Sequence, residues 1–329
     1  MRKFRLLAAI AAVFLLSGCA ERTADATFFA MDTVMSVRVW GADASDACAA
    51  AQQTVQALER ELSVTEEHSA LARLNASGSG TLPDDALTLL RSALDLSERT
   101  GGALDPTLYP VVRLWGFTTG DYRVPADEEI ARARSRVGAE HVLIDGDAVT
   151  LTGGAMLDFG AVAKGFAAQE CADALSAAGA TAALLSFGGN VQTVGSKPDG
   201  TPWRIGIADP AGSETAATLS LTGSCAVVTS GGYQRYFEEN GVRYCHIFDP
   251  ASGAPAQSGL ASVTIVAQDG LLADGLSTAL YVMGLDAAAE FWRDSDDFEA
   301  VFITDDGGIF CTAGLSGRIE ADGAEVFER

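Results

Sequence analysis

Hydrophobic positions alternate with polar ones in some stretches of this chain and recur every three to four residues in others. The switch between these two periods outlines the elements. Alternation marks strands at 27–40, disturbed at Met31-Asp32-Thr33, and at 182–186, 203–207, 217–221, 226–229, 244–248 and 262–266. "HVLIDGDAVTLTG" and "AVFITDDGGIFCTAG" read as hairpins, the second turning at Asp306-Gly307. Helical periodicity covers 45–62, 84–98, 126–137, 162–178, 271–284 and 287–293. The second of these follows Pro83 and stops at Gly101-Gly102, and the third is acidic at its start and basic toward its end, as the helix dipole prefers. "HSALARLNASGSG" is expected to fall into a flexible loop at Asn75, and "GALDPTLYPVVRLWGFTTG" to form an extended, structured loop because of its prolines and aromatics. Strand-rich segments interrupted by long helices predict an α+β fold with mixed and antiparallel sheets and packed helices. No composition break divides the chain, so any internal boundary is soft.

One helical run breaks its own pattern. "LLADGLSTALYVMG", starting at Leu271, is apolar apart from Asp274 and, four residues on, Thr278. At that spacing both side chains rise from one face, with Cβ atoms about 5–6 Å apart. A buried carboxylate needs a partner. Asp274 reads either as a helix-capping residue, with Thr278 bonding back to a carbonyl, or as half of a hard-cation site, since carboxylate and hydroxyl oxygens suit Mg²⁺ or Ca²⁺.

The first residues bear on the compartment. Arg2, Lys3 and Arg5 precede a short apolar core that ends at Leu16, too short to span a bilayer and typical of an export signal. Leu16-Ser17-Gly18-Cys19 resembles a bacterial lipobox, so residues 1–18 are expected to be a lipoprotein signal peptide and 19–27 a lipidated Cys19 with a short tether. The protein is then anchored in the bacterial cell membrane through lipid, facing outside the cytoplasm on its periplasmic or extracellular side. Cleavage leaves 19 basic residues against 44 acidic ones, a net charge of −25 in place of −22. Such a field repels nucleic acid and obliges any anionic ligand to find a local positive device. The five remaining cysteines are scattered without CxxC, which signals neither zinc nor a disulfide scaffold.

That local device is offered by "LDFGAVAKGFAAQ". A strand is expected to end at Asp158, Gly160 to let the chain turn, and a helix to start near Val162 with its free amides forward and Lys164 adding a point charge. A plain structural turn is the alternative, and neither GxxxxGK[ST] nor GxGxxG is present. Gly188-Gly189 in "SFGGNVQTVG" and Thr229-Ser230-Gly231 in "VVTSGGYQRYF" repeat a glycine-rich strand end, the latter before an expected short helix. His246 in "RYCHIFDPASG" is the histidine in acidic and glycine-rich company. Strand alternation sets it opposite Ile247 and on the face of Phe248, as a structural residue or a base.

Met31-x-Thr33, "DFGAVAKG", "SFGGN", "TSGGYQRYF", "HIFDPASG" and "ADGLSTAL" occur in the order and approximate spacing found in the flavin transferase family. The chain from residue 28 to its C-terminal region resembles FAD:protein FMN transferases of the ApbE type. The resemblance implies a flavin transferase domain over 28–329, with flavin and metal site formed by Gly-rich loops between elements. It implies a Mg²⁺-dependent reaction that splits FAD, releases AMP and esterifies FMN to a threonine or serine of an acceptor protein. It places the metal on Asp274, Thr278 and the backbone carbonyl of Ala161. Met31, Asn75, Trp115, Gly116, Phe117, Asp158, Lys164, Gly188, Gly189, Thr229, Ser230, Gly231, His246, Ile247 and Phe248 then fall at flavin-binding positions. His246, Asp274 and Lys164 would carry catalysis. The partner would be the flavin-acceptor domain of a membrane or exported respiratory or ion-pumping flavoprotein. Departures are Asp32 and Ala161 where the family more often has glycine, Gly232 before the tyrosine, and Cys245 before the histidine. A FAD pyrophosphatase that uses water in place of the acceptor, or a non-catalytic flavin-binding lipoprotein, are the alternatives.

Overall fold

The structure, a computed structural model, describes residues 23–212 and 214–329. Nine strands lie side by side in chain order: β1 (Thr23–Ala30), β2 (Thr33–Trp40), β3 (Ala182–Phe187), β4 (Asn190–Val194), β5 (Cys225–Gly231), β6 (Leu260–Ala267), β7 (Phe298–Thr304), β8 (Ile309–Thr312) and β9 (Glu325–Phe327). Neighbours are antiparallel from β1 to β8, and β9 runs parallel to β8. The helices are α1 (Ala44–Leu62), α2 (Ala70–Ser77), α3 (Asp84–Arg99), α4 (Tyr109–Leu114), α5 (Asp127–Arg134), α6 (Ala163–Ala177), α7 (Gly270–Met283) and α8 (Leu285–Arg293). The expected α+β architecture holds.

Period-2 alternation builds two cores from one sheet. Ala226, Val228, Ala300 and Phe302 face the helical layer of α1, α6 and α7, while Val227, Val301 and Ile303 face a small sheet of 203–208, 215–221 and 319–320 that carries Ile205, Ile207 and Leu219. Each valine, isoleucine, leucine or phenylalanine among them, fully buried, contributes about 1.5–3 kcal/mol. Trp115, Phe117 and Phe248 form a third, aromatic cluster with Phe237 and Tyr244.

Several local expectations give way. The strand at 27–40 is a hairpin: Met31 and Asp32 take left-handed φ of 49° and 59°, so the disturbed alternation is the turn itself. Its first strand begins at Thr23, inside the segment expected to be a tether, while Cys19 and the signal peptide lie outside the described residues. Asn75 sits in α2, not in a loop, because Ser69 caps its start by accepting the Ala72 N–H and Gly78 ends it in a left-handed conformation. The loop expected at 102–120 contains α4, whose first turn accommodates Pro110, where a missing N–H is no loss. Residues 155–158 form no strand beyond one bridge from Met156 to Leu108. The strand at 244–248 breaks after Cys245 and resumes at Phe248, leaving His246 in the gap, and 236–239 is a strand where a short helix was expected.

Candidate active site

Strand register brings the β1–β2 turn at Met31-Asp32, the β3–β4 turn at Gly188-Gly189 and the end of β5 at Thr229-Ser230-Gly231 to one end of the sheet. The Met31 N–H donates to Glu59 Oε1 at 2.6 Å, which ties this strained turn to α1. The glycines serve the protein's own packing: a Cβ on Gly188 would overlap Thr33, one on Gly231 the Tyr233 ring, and one on Gly232 the Tyr281 hydroxyl. At Gly189 a Cβ would meet only ordinary contact, with Gln234 Nε2 at 3.8 Å, and the left-handed φ of 99° is what calls for glycine there.

Two helices meet at this end through glycine. A Cβ on Gly165 in α6 would overlap both the Gly270 carbonyl and the Asp274 Cβ in α7. This close approach lets the Gly165 N–H donate to Asp274 Oδ2 at 2.8 Å. The capping reading of Asp274 fails here, since Asp269 caps α7 by accepting the Leu272 N–H and Asp274 lies in the second turn. Asp274 is 3 % exposed. Burial pushes its carboxyl above the usual carboxylate range, opposed by the Lys164 charge and the Gly165 amide. The Asn190 amide lies toward it without closing a hydrogen bond of ordinary geometry. The carbonyl of Ala161, just ahead of α6, accepts no hydrogen bond from the described residues. Thr278 Oγ1 is 3.2 Å from Ser230 Oγ.

Lys164 faces this carboxylate and two other groups. Its Nζ donates to the Gly160 carbonyl at 3.4 Å, and its charge bears on Asp158, Asp274 and His246. Asp158 accepts the Gly160 N–H at 2.8 Å, and burial raises its proton affinity against the pull of that amide, Lys164 and Arg235. His246 Nδ1 is 3.1 Å from the Arg235 carbonyl, which can only accept, so Nδ1 carries the proton and Nε2 keeps its lone pair. Burial first, with the Lys164 and Arg235 charges behind it, pushes the imidazole down to about 4 although the Arg235 carbonyl favours its protonated form. At neutral pH it is an uncharged base.

Other expected flavin positions also make contacts within the protein. Trp115 is 2 % exposed and donates from Nε1 to the Gly253 carbonyl at 3.0 Å; Phe117, Ile247 and Phe248 are also buried. Gly116 takes a left-handed φ of 85°, with Asp121 backbone where a Cβ would go. Asn75 uses both ends of its amide on Leu157, donating to its carbonyl at 2.8 Å and accepting its N–H at 2.7 Å, so it holds the segment leading to Asp158. It also lines a cavity of about 450 Å³ with Val64, Thr65, Tyr109, Thr118 and Met156. A neighbouring cavity of about 510 Å³ shares Arg113, Thr119 and Met156 with it and adds Arg123, Arg132 and Arg136. Neither is lined by Asp274, Thr278, Lys164 or His246.

Sequence reasoning missed Arg235, whose guanidinium donates to the Phe117 carbonyl and lies over that ring at 5.8 Å. Its signal was a lone cation inside a glycine- and aromatic-rich stretch of an acidic chain. Asn190 was missed because only the tertiary packing of β4 against α7 brings it to Asp274, and Ser277, three residues along α7 from Asp274, because it reads as one more small residue of an apolar helix. Among the described residues no three His, Cys, Asp or Glu gather as a metal cluster. The oxygens around Asp274 comprise one carboxylate with neutral companions, a donor set suited to a hard cation rather than a soft one.

The sequence profile of the ApbE family matches residues 31–302. A FAD:protein FMN transferase of Treponema pallidum is 34 % identical over 328 residues, covering 90 % of this chain and 89 % of that protein. One from Vibrio cholerae is 33 % identical over 84 % of this chain and 87 % of its own. Among solved structures, the ApbE protein of Thermotoga maritima superposes with a TM-score of 0.85 at 32 % identity, covering 90 % of this chain and 99 % of that one. The apo flavinyl transferase ApbE of Pseudomonas stutzeri gives 0.82 at 33 % identity over 91 % and 97 %. With the profile spanning most of the chain and the fold shared over 90 % of it, the chain belongs to the ApbE family.

Proposed function

We propose that this enzyme transfers FMN from FAD to a threonine or serine hydroxyl of an acceptor protein, with Mg²⁺ bound at Asp274, Thr278 and the Ala161 carbonyl. The acceptor oxygen bonds to the FMN-side phosphorus, the pyrophosphate P–O bond breaks, and AMP leaves with its electron pair. Mg²⁺ bound there would neutralise charge on the pyrophosphate oxygens and make the phosphorus a better electrophile. Lys164 shares the remaining charge in a chain that is otherwise acidic; the first amides of α6, expected to be free, are spent on the Phe159 carbonyl and on Asp274. His246 Nε2 takes the acceptor's proton. It has a free lone pair at neutral pH, and the anionic substrate beside it raises its proton affinity as the proton arrives. The nucleophile belongs to the partner.

The observation that carries this reading is the buried Asp274 carboxylate, which accepts the Gly165 N–H at 2.8 Å and faces the Lys164 charge. A buried carboxylate calls for positive charge beside it, and Thr278, one turn along the same helix face, adds a neutral oxygen for a hard cation. Incubating the purified chain with FAD, Mg²⁺ and an acceptor domain of an exported respiratory flavoprotein tests the reaction. Flavin fluorescence that stays on the denatured acceptor, with AMP released in equal amount, is expected. FMN and AMP both free in solution, with the acceptor unlabelled, would make it a FAD hydrolase. Lipid attachment at Cys19 would hold the site on the outer side of the cytoplasmic membrane, where exported acceptors meet it.

A further inference from the structure

Beside Asp274, three hydroxyls form a chain whose proton direction is fixed at one end. Ser277 Oγ is 2.7 Å from the Asp274 backbone carbonyl, which can only accept, so the Ser277 proton is committed there. Ser230 Oγ is 2.7 Å from Ser277 Oγ. Ser277 has no second proton, so Ser230 donates. Ser230 Oγ is in turn 3.2 Å from Thr278 Oγ1, and with its single proton spent it can only accept from Thr278. All three links therefore run one way, from Thr278 through Ser230 and Ser277 to the Asp274 carbonyl.

We propose that Ser277 and Ser230 are positioning residues that draw the Thr278 proton away from the site and present its lone pairs to the divalent cation held by Asp274. This rests on the metal reading above. A hydroxyl ligates a hard cation through its oxygen lone pairs, and a freely rotating Thr278 would spend part of its time with the proton facing the positive charge. The chain removes that rotor state. It also couples the two ligands, since it starts on the backbone of one and ends on the side chain of the other, and it crosses from α7 to β5 and back. Ser277 is fully buried, so no bulk water stands ready to replace its hydroxyl. Polarity of this kind is invisible in sequence, where Ser277 is one more small residue on an apolar helix.

The test is Mn²⁺ binding, followed by the loss of its free electron paramagnetic resonance signal, with no FAD present. The variants are Ser277→Ala, Ser230→Ala, Thr278→Val, the double variant Ser277→Ala/Thr278→Val, and Asp274→Asn. Ser277→Ala and Ser230→Ala are each expected to weaken Mn²⁺ roughly tenfold, as loss of an outer hydrogen bond to a ligand does, while thermal melts stay near the parent. In the Thr278→Val background Ser277→Ala should cost nothing further, because its effect passes through Thr278. Additive losses in that cycle, or parental affinity in Ser277→Ala while Asp274→Asn binds nothing, overturn the proposal and leave the metal reading standing. A parent chain that binds no Mn²⁺, or Asp274→Asn binding as the parent does, overturns both.

Discussion

His246 combines a low proton affinity with a defined tautomer, and its neighbours cause both. With the imidazole pushed down to about 4, Nε2 stays available across the whole neutral range. As the base, it makes kcat/KM level from about pH 8 to pH 5 and falling below that as the ring protonates. His246→Ala is expected to keep FAD binding, lower transfer by about 10²- to 10⁴-fold, and remove that acid limb. A rate within a few fold of the parent, with both substrates saturating, would assign the proton to a carboxylate or a metal-bound group. The same shift sets a stability trend: the ring's ordinary pKa of 6.5 is depressed in the fold, so the unfolded chain binds the extra proton. This contribution is present above about pH 6.5 and lost as pH falls toward 4. The residue was legible in sequence as a candidate base, but its setting was not. Alternation placed it on a continuous strand, whereas the partner that fixes its tautomer is a carbonyl eleven residues earlier, across a ribbon that no local pattern announced.

At the scale of elements, the crossing of α6 and α7 does most to make the site. It exists because Gly165 and Gly270 face each other without side chains, so that one helix's amide reaches the other's carboxylate. Gly165→Ala gains about 1 kcal/mol of helix propensity. It must nevertheless push the Gly270 carbonyl aside, and the expected net result is a loss of about 1–3 kcal/mol, read as a lower urea midpoint, together with weaker Mn²⁺ binding. A parental midpoint and parental binding would show that the helices do not need this contact. Long elements such as α1, α3, α6 and α7 were readable because periodicity and punctuation agreed. The β1–β2 hairpin was misread because Met31 and Asp32 are not the turn residues that usually announce positive φ. The helix carrying Asn75 was misread because its cap residue, Ser69, went unweighed against the glycines that follow.

Over the whole molecule, one meandering sheet with helices on one side and a small sheet on the other brings the β1–β2 and β3–β4 turns, the end of β5, the start of α6 and the middle of α7 together at one end of the sheet. That is why six motifs scattered along the chain converge. Their order was readable in sequence; their convergence needed the register. In the proposed reaction an acidic body leaves Lys164, Arg235 and a bound cation as the local means by which a pyrophosphate would be held. Among the described residues no helix is long and apolar enough to cross a membrane, and attachment through lipid on Cys19 is a proposal with its own test. Cys19→Ser is expected to shift the protein from the membrane to the soluble fraction while leaving FAD turnover unchanged, and a mature N-terminus that begins elsewhere without lipid would sink the anchor. The central claim is that Asp274 holds the cation on which FAD cleavage depends. The direct measurement is FAD turnover against a Mg²⁺ titration for the parent and Asp274→Asn, with thermal melts alongside. The account predicts that Asp274→Asn stays folded, because an amide still accepts the Gly165 N–H, yet loses Mg²⁺-dependent turnover at every concentration. A folded Asp274→Asn enzyme with parental activity and parental Mg²⁺ dependence would contradict it.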